Sequence, residues 1–401
     1  MDAAARPCDL LDGDVEDAAV VDHLHLVSGP ELDAYRLKEG VVEILRRDCR
    51  SIEPELALRA AAPEAGGQPE ACERSEQAQH VNMVRTRNFR SKLTGMRELL
   101  NTALLASLLA ACASPRQEPA VRGLPRDDPS ATLSVVWVGH ATVLIRLGHR
   151  FVLTDPNLSG SMVVVPRITP PSLTADQLPP VQFVLLSHLH IDHFDRPTLR
   201  KLPRNTEVLF PPDAASYLHL IRQQRKQAME FWKPIERGGL KITAVPVRHA
   251  GGRFVVDALW NRSSAGYVIE GSGRRVFFAG DTGYDEKIFA QIGQRYPGID
   301  LALLPIAPAR GGNPNHASPE EALRIFRDLG ARYMVPIHFE AYHSMAVPLD
   351  EPRKQLAQAV EKSGLQGRVF ALYTGERWVE PDDGGPPRVT RETHAADQAA
   401  R

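Results

Sequence analysis

The sequence predicts an α/β fold over residues 131–381, and three observations carry that prediction. Short apolar runs rich in β-branched residues alternate there with segments of helical periodicity. A composition of 43% apolar and 24% charged residues over 401 positions suffices for one large core or two smaller ones. Four of the apolar runs end in His or Asp, which puts polar groups at the rim of a sheet and leaves its centre apolar.

In chain order, residues 1–82 alternate acidic and Ala/Pro/Gly-rich stretches such as AAAPEAGGQPEACERSEQAQH. Apart from a short helix expected around residues 37–45, they read as a poorly ordered upstream extension. Residues 83–112 carry a basic front (Arg85, Arg87, Arg90, Lys92, Arg97), an apolar run over 99–111 and small residues before Cys112. That is the layout of a secretory signal, with a run too short to span a bilayer. Leu109-Ala110-Ala111-Cys112 resembles a bacterial lipoprotein cleavage box, which implies a lipidated Cys112, a translation start at Met83 or Met96, and a cell-envelope location facing the periplasm, with the cytoplasm as the alternative. Residues 113–130, ASPRQEPAVRGLPRDDPS, are expected to form a Pro-rich tether, and 382–401 a polar tail.

Charge and cysteine usage narrow the chemistry. Lys+Arg 48 against Asp+Glu 49 gives 48 − 49 = −1, which excludes a partner held mainly by counterion release, so no nucleic acid is expected. Cys8, Cys49, Cys72 and Cys112 all precede residue 113. Any metal in the α/β region must therefore be held by nitrogen and oxygen.

The four strand ends supply such ligands. VQFVLLS leads into His188-Leu189-His190-Ile191-Asp192-His193, KITAVPVR into His249, RRVFFAG into Asp281, and RYMVPI into His338. His188 and His190, two apart in extended backbone, point the same way and can grip one ion. Asp192 and His193 are adjacent and must diverge; a turn after His190 would aim that pair at a second ion, roughly 3.5–4 Å from the first. Histidine and carboxylate ligation suits zinc, with iron or manganese also compatible. A single His at a strand end is ordinarily structural, and Asp281 in AGDTG alone could be a turn residue. Several polar rings crowded at one rim have little structural purpose unless a metal pairs them.

These motifs resemble the metallo-β-lactamase superfamily over residues 134–381. WVGHATVLI, LTDPNLS, PRITPP, FFAGDTGY, PEEALRIFRDLGA and HFEAY…PLDEP stand in the order found in the branch containing N-acylphosphatidylethanolamine-hydrolysing phospholipase D and its bacterial relatives. The resemblance implies a four-layer αβ/βα sandwich with a binuclear site at one edge of the two sheets. It implies two Zn²⁺ ions: one on His188, His190 and His249, the other on Asp192, His193 and His338, with Asp281 bridging. Asp155, closing FVLTD, would stand behind the ligands and orient their loop, and an Asx turn before Pro156 is the plainer account of the same residue. Two positions depart from the branch: Ala250 replaces an aromatic after His249, and Phe339-Glu340 replaces Trp-Gly after His338.

The implied activity is hydrolysis by a metal-bridging hydroxide, with a phosphodiester of the phospholipase D type as first reading. A lactonase or other ester hydrolase similar to ascorbate-6-phosphate lactonase is the alternative, and a non-catalytic lipid-anchored zinc protein the third. Asp192 and His316 are the expected catalytic residues. Ser318, Pro319 and Glu321 form a helix start with a capping box, and the helix should stop at Gly330. His316 lies just ahead of that N-terminus, where a phosphate or oxyanion is favoured; an exposed loop histidine is the competing reading. His140, in the WVGHAT turn, is expected to be structural. SGSMVVVPRITPP reads as core packing first and as an acyl-chain contact second. The expected partner is a small-molecule or phospholipid substrate; oligomeric state is not readable from the sequence.

Overall fold

The protein is described here by a computed structural model covering residues 118–162, 165–253, 264–308, 311–342 and 348–391. The expected extension 1–82 with its helix at 37–45, the signal segment 83–112 with Cys112, and the end of the tail lie outside the described residues. Among those described, no helix is long and apolar enough to cross a membrane.

The first sheet is built from β1 (Leu133–Gly139), β2 (Thr142–Leu147), β3 (Arg150–Thr154), β6 (Phe183–Leu185), β7 (Glu207–Phe210), β8 (Lys226–Ala228), β15 (Arg377–Glu380) and β16 (Arg388–Thr390), in the order β16-β15-β1-β2-β3-β6-β7-β8. Between β3 and β6 a small hairpin, β4 (Ser161–Met162) with β5 (Val165–Pro166), stands apart. The second sheet runs β14-β13-β12-β11-β10-β9, from β9 (Pro234–Arg237), β10 (Leu240–Pro246), β11 (Ala265–Gly271), β12 (Arg274–Phe278), β13 (Leu301–Pro305) and β14 (Tyr333–Ile337). Both sheets are mixed, antiparallel among their hairpins and parallel where a crossover intervenes, as at β3–β6–β7 and β12–β13–β14.

Alternation along each strand makes the layers. In β1, Leu133, Val135 and Trp137 face the core shared with the second sheet, while Val136 and Val138 face an outer core beneath α1 (Arg196–Lys201). Phe183 and Leu185 against Val184, and Leu209 against Val208 and Phe210, repeat the pattern. Sheets covered on both faces read as near-continuous apolar runs, which is why VVWV and FVLL look unpatterned in the sequence. Beyond the second sheet lie α2 (Glu286–Arg295) and α3 (Pro319–Asp328), followed in the chain by α4 (Glu351–Ser363). Phe289, Ile292, Ile325 and Phe326 are buried in an apolar cluster continuous with the core between the sheets. The result is the expected α/β sandwich, helix and sheet against sheet and helix.

Two segments read as tether and tail lie against this domain in their described parts. Val121 is buried and its N–H donates to the Thr374 carbonyl, while Arg146 and Arg377 reach the carbonyls of Asp128 and Arg126. A buried guanidinium needs acceptors, and this irregular polar stretch supplies them. At the other end β16 pairs antiparallel with β15.

Candidate metal centre

The two sheets meet at one rim through short ties. Tyr267 on β11 donates its hydroxyl to the Leu186 carbonyl at 2.8 Å, and the Ala265 N–H donates to the Ser187 carbonyl at 2.8 Å. The loop after β6 is thereby pinned to the second sheet. Below it, Asp155 accepts from the Ser187 N–H at 2.7 Å and from the Ser187 hydroxyl at 2.6 Å. A turn follows, in which the N–H groups of His193 and Phe194 both reach the carbonyl of His190.

The rim groups gather in two clusters. In the first, His188 Nε2 lies 2.8 Å from His190 Nδ1, and His249 Nε2 lies 3.2 Å from the same atom. His188, His190, His249 and Asp281 each present a ligand atom within 4.8 Å of the others. In the second, Asp192 Oδ2 is 3.4 Å from His193 Nε2 and 3.5 Å from His338 Nε2. The turn after His190 takes the chain out of extended backbone and aims Asp192 and His193 at one cluster, the arrangement expected of that pair. Asp281 Oδ2 lies between the clusters, 3.1 Å from His338 Nε2, 3.3 Å from His193 Nε2 and 3.9 Å from His188 Nε2.

Several rings are oriented from behind. His193 Nδ1 meets Asp155 Oδ2 at 2.7 Å, and His249 Nδ1 donates to the Asn315 carbonyl at 2.8 Å, so each turns its Nε2 inward. His188 Nδ1 contacts the Ser187 hydroxyl at 2.9 Å. Asp155 is thus an acceptor for three donors beneath the site, with its backbone at a positive φ of 32° before Pro156.

Burial and mutual repulsion set the charges. Burial holds His188 well below its ordinary pKa, with the neighbouring His193 and His249 adding to the effect, and burial takes His249 down to about 4. Burial also opposes the charge on His193 and His338, but the carboxylate of Asp281, joined by Asp192, outweighs it; His193 is held well above the usual range and His338 rises to about 9. For Asp281 the same contest runs the other way, burial being overcome by His193 and His338, so its carboxyl stays ionised.

A divalent cation fits this arrangement. Both Asp281 oxygens and the Nε2 atoms of His193 and His338 are buried with no hydrogen-bond partner. Leaving an ionised carboxylate and ring nitrogens in that state is costly, and a shared positive ion removes the cost. The donors are all nitrogen or oxygen, a set compatible with zinc, iron or manganese.

His316 belongs to the same neighbourhood. Its Nδ1 is buried without a partner, 3.6 Å from Asp281 Oδ2, and its ring centroid is 5.0 Å from that of His249. Ser318 caps α3 with the full capping box, its hydroxyl accepting from the Glu321 N–H while Glu321 accepts from the Ser318 N–H. The Ala317 N–H donates to the Thr282 carbonyl, which fixes the approach. Gly330 takes a φ of 62° after the helix, as its stop position requires.

His140, expected to be structural in its turn, stands at the centre: its Nε2 lies 2.9 Å from Asp192 Oδ2, and with Asp192, His193 and His338 it forms a four-membered cluster. The available signal was its place straight after Gly139 at the end of a fully buried strand. Beside the clusters opens a cavity of about 230 Å³, reached by His140, Asp192, His316 and His338, with Glu340 and Tyr342 also in its wall and apolar groups such as Met162, Pro308, Phe339 and Leu349 making most of the remainder. Met162 belongs to SGSMVVVPRITPP; Ile168 of the same stretch is buried.

Known proteins carry the same pattern. Residues 150–339 match the family model described as the β-lactamase superfamily domain. An uncharacterized protein of Mycobacterium tuberculosis is 34% identical over 275 residues, 65% of this chain and 71% of that one. The chain belongs to the metallo-β-lactamase superfamily. Within the superfamily, N-acyl-phosphatidylethanolamine-hydrolyzing phospholipase D 1 of Caenorhabditis elegans is 28% identical over 65% of this chain and 80% of its own length. A metal-dependent hydrolase of Thermococcus onnurineus is 29% identical over 61% of this chain and 98% of its own. A crystal structure of a possible metal-dependent hydrolase from Veillonella parvula shares the fold, with a TM-score of 0.53 at 16% identity, covering 62% of this chain and all of that one. As a metallo-β-lactamase superfamily member the protein is a metal-dependent hydrolase.

Local contacts accommodate the Phe339-Glu340 departure. Phe339 stacks on Trp137 with centroids 4.5 Å apart and planes 12° from parallel. Glu340, at a positive φ of 58° that favours glycine, is held by Arg353 through two hydrogen bonds of 2.6 and 2.9 Å.

Proposed function

We propose that the protein is a binuclear zinc hydrolase acting on phosphodiesters of the N-acylphosphatidylethanolamine phospholipase D type. The observation that carries this reading is Asp281, an unpartnered buried carboxylate set between two clusters of histidine and aspartate. His188, His190 and His249 would hold one ion, Asp192, His193 and His338 the other, and Asp281 both. Bound there, such ions supply Lewis acidity and a water of lowered pKa.

The chain's own groups do the rest. Asp155 and the Asn315 carbonyl keep His193 and His249 in single orientations. Asp192 faces the cavity, and His316 at the start of α3 binds an anionic oxygen as charge develops on it. The apolar cavity wall excludes water and suits the hydrocarbon part of a phospholipid. A lipid anchor at Cys112 would place this cavity at the surface where such a substrate lies. The name of the Caenorhabditis elegans relative supports the same choice.

Metal content per chain, measured with turnover of a phosphodiester, a phospholipid and a lactone, tests the proposal. Two zinc ions and phosphodiester cleavage are expected. Lactone turnover alone would replace the substrate class and keep the centre, whereas one ion or none would remove the binuclear reading.

A further inference from the structure

Resting on that binuclear reading, we propose that His140 is a positioning residue: it donates a hydrogen bond from Nε2 to Asp192, holds that carboxylate toward the second metal position, and so governs the affinity of that position without being a ligand itself.

The backbone at His140 is held in a conformation that a side chain resists. Its φ is +58°, in the left-handed region that a residue with a Cβ resists. Opposing that resistance, its carbonyl accepts from the indole N–H of Trp137 at 2.8 Å and from the N–H of His338 at 3.0 Å. The turn is thus fastened to the buried end of β1 on one side and to a ligand-bearing loop on the other. The ring it projects packs 4.2 Å from that of His338 and meets Tyr342 edge-on at 5.2 Å.

The two ring nitrogens have different surroundings. Nε2 lies 2.9 Å from Asp192 Oδ2; Nδ1 is buried and meets no partner. An ionised carboxylate only accepts, so the ring nitrogen facing it must carry the proton. A bare Nδ1 in an unpartnered place costs less than a stranded N–H there. The tautomer is therefore Nε2–H, the opposite of what a ligand at Nε2 requires.

Asp192 is also held through its main chain. Asn157 donates to the Asp192 carbonyl at 2.8 Å and to the Tyr342 hydroxyl at 2.9 Å. With the backbone pinned by Asn157 and the carboxylate by His140, the Asp192 side chain is held from both ends. Oδ2 is also the oxygen nearest His193 and His338 Nε2, so it takes the His140 N–H on one lone pair and keeps the other for the metal; a carboxylate ligand held by such a hydrogen bond binds its metal about 10–100-fold more tightly than one left free.

Two measurements test the assignment on the metal-loaded protein. ¹⁵N-histidine NMR of the wild type should show His140 neutral with its proton on Nε2; an unprotonated Nε2 makes it a ligand and overturns the proposal without any variant having to fold. Zinc titration against a chromophoric chelator should give two equivalents for the wild type. His140→Ala should weaken one of them by about 10–100-fold and spare the other, and His140→Gln, whose amide N–H reaches the same carboxylate, should return it to within a few-fold. Equal loss of both equivalents, no loss, or a Gln variant no better than Ala overturns the positioning role. A wild type holding fewer than two equivalents overturns the binuclear reading and this inference with it, whereas two equivalents untouched by His140→Ala overturn the inference alone.

Discussion

Asp155 Oδ2 and His193 Nδ1 meet at 2.7 Å, both fully buried, beneath the turn that carries Asp192 and His193. The same carboxylate takes both the N–H and the hydroxyl of Ser187, so one side chain sets the strand end and the ring that follows it. Three donors converge on two oxygens, a geometry an amide cannot copy because its NH₂ would face a donor.

Asp155→Asn should therefore weaken the metal bound by His193 about 10–100-fold while preserving backbone structure. Metal titration together with circular dichroism checks this. Native affinity in a folded variant would reduce Asp155 to a turn residue before Pro156.

Metal removal should destabilise the fold, since the buried atoms of Asp281, His193 and His338 then have no partner. Returning zinc at 100 times its dissociation constant should stabilise the folded state by about 2.7 kcal/mol per ion, seen as a melting temperature that climbs with zinc concentration. A melting curve insensitive to chelator and to zinc would contradict the assignment of these residues as ligands.

His316→Ala should keep full metal content and lower kcat/KM for a phosphodiester by about 10²–10³, the scale of losing one oxyanion donor. Activity and metal lost together would instead make His316 a ligand, which its 3.6 Å separation from Asp281 Oδ2 permits as a geometric alternative.

Arg353 offers a stability test away from the metals. Its guanidinium holds Glu340, donates to the carbonyls of Ala371 and Leu372, and lies over the rings of Phe339 and Tyr373. Arg353→Ala strands the mostly buried Glu340 carboxylate and should cost about 3–5 kcal/mol in urea unfolding. Adding Glu340→Gly, which removes both the stranded charge and the positive-φ strain, should recover part of that loss.

What the sequence discloses and what it hides divide along local and non-local lines. His188, His249, Asp281 and His338 each follow an apolar run, so their arrival at a rim is legible from one strand at a time. The convergence of Asp192 with His193 depends on a turn geometry that alternation cannot express. His140 is harder still, because its partner Asp192 stands on another loop and its own conformation is one that only neighbouring contacts maintain. Residues 121–130 have the composition of a linker and are packed nonetheless, owing to the acceptor demand of Arg146 and Arg377 at the Asp128 and Arg126 carbonyls, which no local pattern announces.

The division of the ligands between two sheets has a consequence for biosynthesis. His188 to His193 leave the ribosome long before His338, and β15, the strand that flanks β1, emerges later again. A nascent chain can thus display a histidine-rich loop well before the opposite wall exists to complete the coordination shell. Completion of the site is in this sense a closing event of translation: a chain interrupted after α3 would already hold His249 and Asp281 but lack β14 and His338, leaving the cluster of Asp192 and His193 incomplete.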